Sequence, residues 1–306
     1  MGESVKDMLR RVRKIEIATR RQVSDAIAGT YHSVFKGQGI DFEEAREYQP
    51  GDEIRSIDWN VTARTGKAHV KTYREERELT MMLAVDLSAS GAFGSAGQTK
   101  RELEAELASV LAFSAARNGD KVGLALFTDT IELIIPPRKG RRHILRLIRE
   151  ILYFKPKRSG TNIANALDGL NKFLKRRAIT VLISDFLQGP NGELPNPDMR
   201  SGDPVLKALD LTNRRHDLLC INVYDDRETF LPKIGRMMLE DSETGEIVEL
   251  DAYKESVLKA YSAENADRLK AFKTALARSG IDCLELAAGK PYIAELRQFF
   301  ERRKRA

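Results

Sequence analysis

Apolar residues along this chain fall into two alternating patterns. Short β-branched runs are followed by longer stretches in which apolar positions recur every three or four residues. The runs predict buried strands, and the spaced stretches predict helices with one apolar stripe. Helical spacing covers 5–35 (Val5, Met8, Leu9, Val12, Ile15, Val23, Ile27), with Gly29, Gly37 and Gly39 as breaks. His69–Tyr73 alternates like a strand, and Leu79 to Leu83, then Ala84 and Val85, form an apolar run. An amphipathic helix is predicted over 100–117 (Leu103, Leu107, Val110, Leu111), then a hairpin of 122–127 and 131–135 about Thr128-Asp129-Thr130. Helices follow at 140–153 and 162–177, and a strand at 179–184. A Gly- and Pro-rich loop (188–204), a helix (203–215) and a strand (218–223) come next. A second hairpin, 236–241 with 246–251, turns at Ser242-Glu243-Thr244-Gly245, and a helix (253–279), a strand (281–286) and a helix (291–303) end the chain. Such alternation predicts an α/β fold: a mostly parallel sheet flanked by helices.

The polar residues that close the buried runs carry the candidate chemistry. Leu79 to Val85 runs into Asp86-Leu87-Ser88-Ala89-Ser90. One carboxylate and two hydroxyls on alternate positions of a loop can converge on a hard cation such as Mg²⁺, which takes oxygen ligands in octahedral geometry. Thr161 follows the Ser159-Gly160 loop signal and precedes a helix, and Asp185 ends the run Ile179 to Ser184. All five lie at a strand exit or helix entry, the rim where open α/β sheets bind ligands. Capping is the competing reading: Ser88 and Ser90 capping the next helix, Thr161 an N-cap, Asp185 a strand end.

In type and order, Asp86, Ser88, Ser90, Thr161 and Asp185 resemble the metal-ion-dependent adhesion site of von Willebrand factor A-like domains. The resemblance implies a Rossmann-like sheet and Mg²⁺ (or Mn²⁺) held by these hydroxyls and carboxylates. An acidic residue of a partner would complete the shell. Gly91 stands where that family often has an apolar residue.

A second segment is as distinctive. Asp41-Phe42-Glu43 leads to Arg46-Glu47-Tyr48-Gln49-Pro50-Gly51-Asp52, then Arg55-Ser56-Ile57-Asp58-Trp59, Thr62-Ala63-Arg64 and Glu75-Glu76-Arg77. These motifs closely resemble the signature of the bacterial domain-of-unknown-function-58 family, which joins such a segment to a von Willebrand A-like domain. The expected organisation is an N-terminal helix plus small β segment over 1–78 and the A-like domain over 79–306, with a hairpin insertion at about 226–252. Arg46, Arg55, Arg64 and Arg77 are expected to pair with Glu44, Glu47, Asp52 and Asp58, and Trp59 to be buried against the sheet domain.

Composition narrows the function classes. Net charge is +6, with basic residues concentrated in Arg10–Arg21, Arg138–Arg158 and Arg302–Arg305. No zinc-finger spacing, helix-turn-helix or aromatic-interleaved basic strand accompanies them, so nucleic acid is not the expected partner. The apolar runs are too short for a membrane span, the N-terminus lacks a signal-peptide pattern, and Cys220 and Cys283 sit in apolar runs. A cytoplasmic protein without a disulfide framework is expected. Phosphate-binding and dinucleotide-binding glycine loops and the Gly-x-Ser-x-Gly elbow are absent, and the four His are scattered. The expectation is a non-enzymatic, metal-dependent protein–protein interaction module. The family resemblance implies a MoxR-type AAA+ ATPase as partner, in assembly or maturation of client proteins. The alternative is a scaffold with a vestigial metal site whose basic faces bind an acidic partner or nucleic acid.

Overall fold

Val12, Ile15, Glu16 and Thr19 form the buried stripe of α1 (Val5–Gln22). Glu16 is held there by a two-pronged ion pair: Arg141 donates from Nε at 2.6 Å and from a terminal nitrogen at 3.0 Å. The structure, a computed structural model, describes residues 5–22, 41–74, 78–187, 203–240, 242 and 245–303. The expected helical continuation over 23–35, Arg77 and most of the loop at 188–204 lie outside the described residues. Residues 1–34 with 80–306 form one compact unit and 35–79 a second, a division that differs from 1–78 and 79–306 in where α1 belongs.

The small unit pairs β1 (Asp41–Glu47) antiparallel with a later strand across α2 (Trp59–Thr65). That strand is β2 (His69–Arg74), and the register shifts between Phe42 and Glu44. Asp58 caps α2 by accepting from the Asn60 and Val61 N–H groups, and Gly66 closes it at φ 72°, a left-handed conformation that glycine takes without strain. Arg46 pairs with Asp52 at 2.6 Å as expected, but Glu47 takes Lys67 at 2.8 Å and the cation beside Asp58 is Lys71 at 3.8 Å. Trp59 is not buried: it is 68 % exposed. So short a unit has little core to offer, and the cap at Asp58 fixes Trp59 in the first turn of a helix with no buried residue.

After α1, the large unit continues with β3 (Thr80–Asp86) and α3 (Lys100–Arg117). The hairpin β4 (Lys121–Phe127) and β5 (Ile131–Arg138) follows, then α4 (Arg141–Tyr153), α5 (Ile163–Phe173) and β6 (Ile179–Ser184). Next come α6 (Pro204–Arg215), β7 (Asp217–Tyr224), the single turn α7 (Asp226–Thr229) and the separate hairpin β8 (Arg236–Glu240) with β9 (Ile247–Asp251). The chain closes with α8 (Glu255–Arg278), β10 (Asp282–Ala287) and α9 (Ile293–Arg303). Six strands form one sheet in the order β10-β7-β6-β3-β4-β5, parallel except for β5. Counted within the sheet this is the doubly wound 3-2-1-4-5-6 order, and its switch point falls between β3 and β6.

Alternation along the strands sends Met82 and Ala84 to one face, where Leu167 and Leu170 of α5, Leu209 of α6 and Phe272 and Leu276 of α8 close a core. On α3 the expectation of an amphipathic helix is corrected. Leu103, Leu107, Val110 and Leu111 are buried, but so are Ala105, Ala108 and Ala112 on its other sides, because α1 and α4 pack on it. Its buried hydroxyls are satisfied within the helix, Ser109 donating to the Ala105 carbonyl and Ser114 to that of Val110.

Two measurements check this fold. The protein has a single Trp, so its native emission should be water-like and move little on denaturation. A blue-shifted native emission would contradict the exposure of Trp59. The second concerns His216, which is buried with Nδ1 accepting from the Ala178 N–H at 3.3 Å and Nε2 without a hydrogen-bond partner. Burial, aided by Arg215 and Arg177, holds its pKa below the usual value. The folded state then resists protonation more than the unfolded chain does. That contribution is intact above about pH 6.5 and is lost as pH falls through the lower folded value. Between about pH 7.5 and about pH 5.5 the wild type should lose more thermal stability than His216→Gln.

A candidate metal centre at the strand ends

Asp86 ends β3 and Asp185 follows the last residue of β6, so both carboxylates lie at the switch point, at the carboxyl ends of neighbouring strands. Asp86 Oδ1 accepts from the Ser88 N–H at 2.9 Å, and Oδ2 accepts from the Ser184 hydroxyl at 2.7 Å. Ser88 Oγ and Ser90 Oγ are 2.9 Å apart, and Ser90 donates to Asp185 Oδ2 at 2.7 Å. Asp185 Oδ1 accepts from the Leu187 N–H at 3.1 Å. The chain turns back there through Phe186, a buried non-glycine residue at φ 58°. Such a conformation costs about 1–3 kcal/mol, and it persists because the side chain is anchored on Phe272, ring centroids 5.0 Å apart.

Thr161 arrives on a separate loop. That loop is tied to the serine loop by the Ala89 N–H on the Ser159 carbonyl at 3.0 Å, and to the β4–β5 turn by the Asn162 N–H on the Thr128 carbonyl at 3.1 Å. Thr161 is 9 % exposed. Capping does not explain these hydroxyls. The N-cap of α5 is Asn162, whose side chain accepts from the Asn165 N–H, and α3 is capped by Thr99 in a capping box with Glu102. Ser88 precedes a short 3-10 turn but makes no side-chain cap bond to it.

The electrostatics depend on residues that sequence reasoning missed. Lys100 is fully buried, and its ammonium donates to Asp185 Oδ2 at 2.6 Å and to Glu228 Oε1 at 2.5 Å. Burial opposes the charged ammonium, but the two carboxylates outweigh it and push its pKa up. The Asp86 carboxyl is pushed up to about 7, first by burial and then by the charge of Asp185, against the bonds from Ser88 and Ser184. Glu228 is also pushed up, because burial and Asp185 outweigh the shared ammonium. Glu104, one helical turn beyond Lys100, is 3 % exposed, and its Oε2 has no hydrogen-bond partner. Burial, then Asp86 and Asp185, raise its pKa well above the ordinary value. A signal existed: positions 100, 103, 104 and 107 share one helical stripe, so two charged residues fall on an apolar face.

The donor set fits a hard divalent cation. Neighbouring oxygens of an octahedral Mg²⁺ shell lie about 2.9 Å apart, and Ser88 Oγ and Ser90 Oγ have that separation. Among the described residues no group of three His, Cys, Asp or Glu side chains is arranged to hold a metal, so a site here relies on its hydroxyls. A groove of about 720 Å³ lies elsewhere, lined by Lys273, Ile281, Asp282 and Phe299 near the start of β10. Among the described residues no helix is long and apolar enough to cross a membrane.

A family model described as "Protein of unknown function DUF58" matches residues 44–271. The chain is 31 % identical over 299 residues to uncharacterized protein Rv1480 of Mycobacterium tuberculosis, covering 96 % of this chain and 89 % of that protein. Among solved structures, the conserved hypothetical protein BatB from Bacteroides thetaiotaomicron is similar with a TM-score of 0.44 and 15 % identity, over 74 % of this chain and 100 % of that one. The SpRpn10 VWA domain is similar with a TM-score of 0.37 and 13 % identity, over 72 % of this chain and 94 % of that one. None of these likenesses assigns a role to a residue.

Ser184 gives a direct test of the geometry. Its hydroxyl donates to Asp86 and accepts from the Phe186 N–H at 2.9 Å. Ser184→Ala should lower stability by about 1–3 kcal/mol in chemical denaturation, the cost of leaving buried groups unpaired. A change within error would mean that Asp86 is held by other contacts.

Proposed function

Because this chain belongs to the DUF58 family, whose description names no activity, we propose a function from the site itself: a metal-dependent protein–protein interaction module without enzymatic activity. Asp86, Ser88, Ser90, Thr161 and Asp185 would hold Mg²⁺ or Mn²⁺. When bound, the ion supplies a Lewis-acidic position that a carboxylate of a partner fills. The observation that supports this reading is the hydroxyl pair at 2.9 Å, with Ser90 on Asp185, at the sheet's switch point and with no capping role for either serine. The family resemblance of the segment Asp41 to Arg77 suggests a MoxR-type AAA+ ATPase as the partner, with the pair acting in assembly or maturation of client proteins.

One observation favours a second reading. The Lys100 ammonium already lies on Asp185, as it would in a scaffold whose metal site is vestigial and whose basic faces, such as Arg10, Arg13 and Lys14 on α1, take an acidic partner or nucleic acid. Metal dependence separates the two: partner binding that falls steeply with salt and ignores chelator belongs to the scaffold.

Asp86→Ala should abolish Mg²⁺ binding in calorimetry and leave the circular dichroism spectrum nearly unchanged. Thr161→Ala should weaken capture of the immobilised ATPase as chelator does. The fold should tolerate it, since Thr161 does not cap α5. Full affinity in Thr161→Ala and in chelator would sink the metal reading.

A further inference from the structure

Lysine is almost never fully buried unless paired, because its stem normally lets the ammonium reach water. Lys100 has no such route: its relative exposure is 0 %, and Asp185 and Glu228 take its ammonium at 2.6 and 2.5 Å. We propose that Lys100 is the resident counter-cation of the strand-end site. It holds Asp185 and Glu228 when no metal is bound, sets how strongly the site takes a hard divalent cation, and ties ion occupancy to the Asp225–Thr229 turn. The part concerning the ion rests on the metal reading above; the tie to the turn does not.

The charges support this role. Asp185 Oδ2 accepts from both Lys100 and Ser90, so an ion drawn to Ser90 and Asp185 enters the field of the ammonium. Like charges at that range repel, and Lys100 therefore weakens the ion's hold. The lysine does not reach every buried acceptor beside the serine loop. Glu104 Oε2 is buried and unpartnered, 4.0 Å from where a Cβ on Gly91 would stand, directly beside the serine loop.

The connection to the turn runs through a single side chain, Glu228. Glu228 Oε1 takes Lys100, and Oε2 takes the Asp225 N–H at 2.9 Å. Asp225 in turn accepts from the Ser95 N–H at 2.7 Å and the Ser95 hydroxyl at 2.6 Å, and the Glu228 carbonyl accepts from Tyr261 at 3.0 Å. The ammonium thus joins a candidate metal ligand to the turn that follows β7 and leads toward the β8–β9 hairpin.

The test uses the full chain, with calorimetry for Mg²⁺ and Mn²⁺ and hydrogen exchange read at residues 225–230. Lys100→Met should bind either ion at least tenfold more tightly than wild type. Its turn should exchange faster than in wild type, and adding the ion should no longer change that exchange. Glu228→Gln, at a side chain 24 % exposed, guards against a Lys100 variant that does not fold. It leaves the ammonium wholly to Asp185, so it should weaken ion binding severalfold and loosen the same turn. Unchanged affinity and unchanged exchange in both variants would overturn the proposal, as would weaker ion binding in Lys100→Met. If neither wild type nor Lys100→Met binds an ion while exchange at the turn still rises, the metal reading falls alone and the tie through Lys100 stands.

Discussion

Charge compensation at the carboxyl ends of β3 and β6 is the constraint on which this structure turns. Asp86 and Asp185 are 3 % and 6 % exposed on adjacent strands, with Glu104 at 3 % packed above them. Carboxylates taken out of water are costly unless each finds donors, and removing one partner of a buried ion pair costs about 3–5 kcal/mol. That is a large share of the roughly 5–15 kcal/mol that holds a domain folded. The local structure follows from this need. The capping box at Thr99 starts α3 where its first residue, Lys100, reaches Asp185. The left-handed Phe186 turns the chain so that the Leu187 N–H reaches Asp185 and its own N–H reaches Ser184.

The sheet order explains why these groups meet at all. Chain order separates Asp86 from Asp185 by α3, the β4–β5 hairpin, α4 and α5, but β3 and β6 are neighbours at the point where the winding reverses. Helices leave that point to opposite faces, and the rim between them stays open to loops. The serine loop and the Thr161 loop both enter there, joined by one backbone bond from Ala89 to Ser159. The small unit contributes in a different currency. Its buried side chains are few, Val70 and Asp58 among them, and Ile54 and Trp59 stand exposed.

Strand runs such as Ile179–Ser184 were legible because a strand buried on both faces needs unbroken apolar character, and the hairpin turns were legible from their polar punctuation. The five candidate ligands were legible because strand exits leave short polar motifs in sequence. What escaped were features set by tertiary neighbours. The alanines of α3 fall outside the stripe of Leu103, Leu107, Val110 and Leu111, but α1 and α4 cover them. Thr161 and Asn162 are equally good cap residues on paper, and the loop path decided for Asn162. Trp59 reads as core by its chemistry, and the size of its unit prevented that. Lys100 and Glu104 were visible as charges on an apolar stripe, but the carboxylates that Lys100 takes, Asp185 just after β6 and Glu228 on α7, are far away in sequence.

Stability alone does not account for such a cluster. Buried ion pairs are often matched or bettered by apolar residues of similar volume, because desolvation consumes most of the Coulombic gain. The rest of the switch-point core is apolar and close packed, from Leu83 and Val181 to Leu182 and Ile183. A chain selected only to fold would continue that packing to the strand ends. Here it buries Asp86, Asp185 and Glu104, sets Asp185 and Glu228 on one buried lysine, and leaves one oxygen of Glu104 without a partner. An internal cation that reaches only Asp185 and Glu228 satisfies this cluster in part, and it leaves a buried acceptor on Glu104 without a donor. The vestigial and the metal-binding readings therefore share one electrostatic core. They differ in whether the Lys100 ammonium is the final occupant of Asp185 or the charge that a divalent ion must work against.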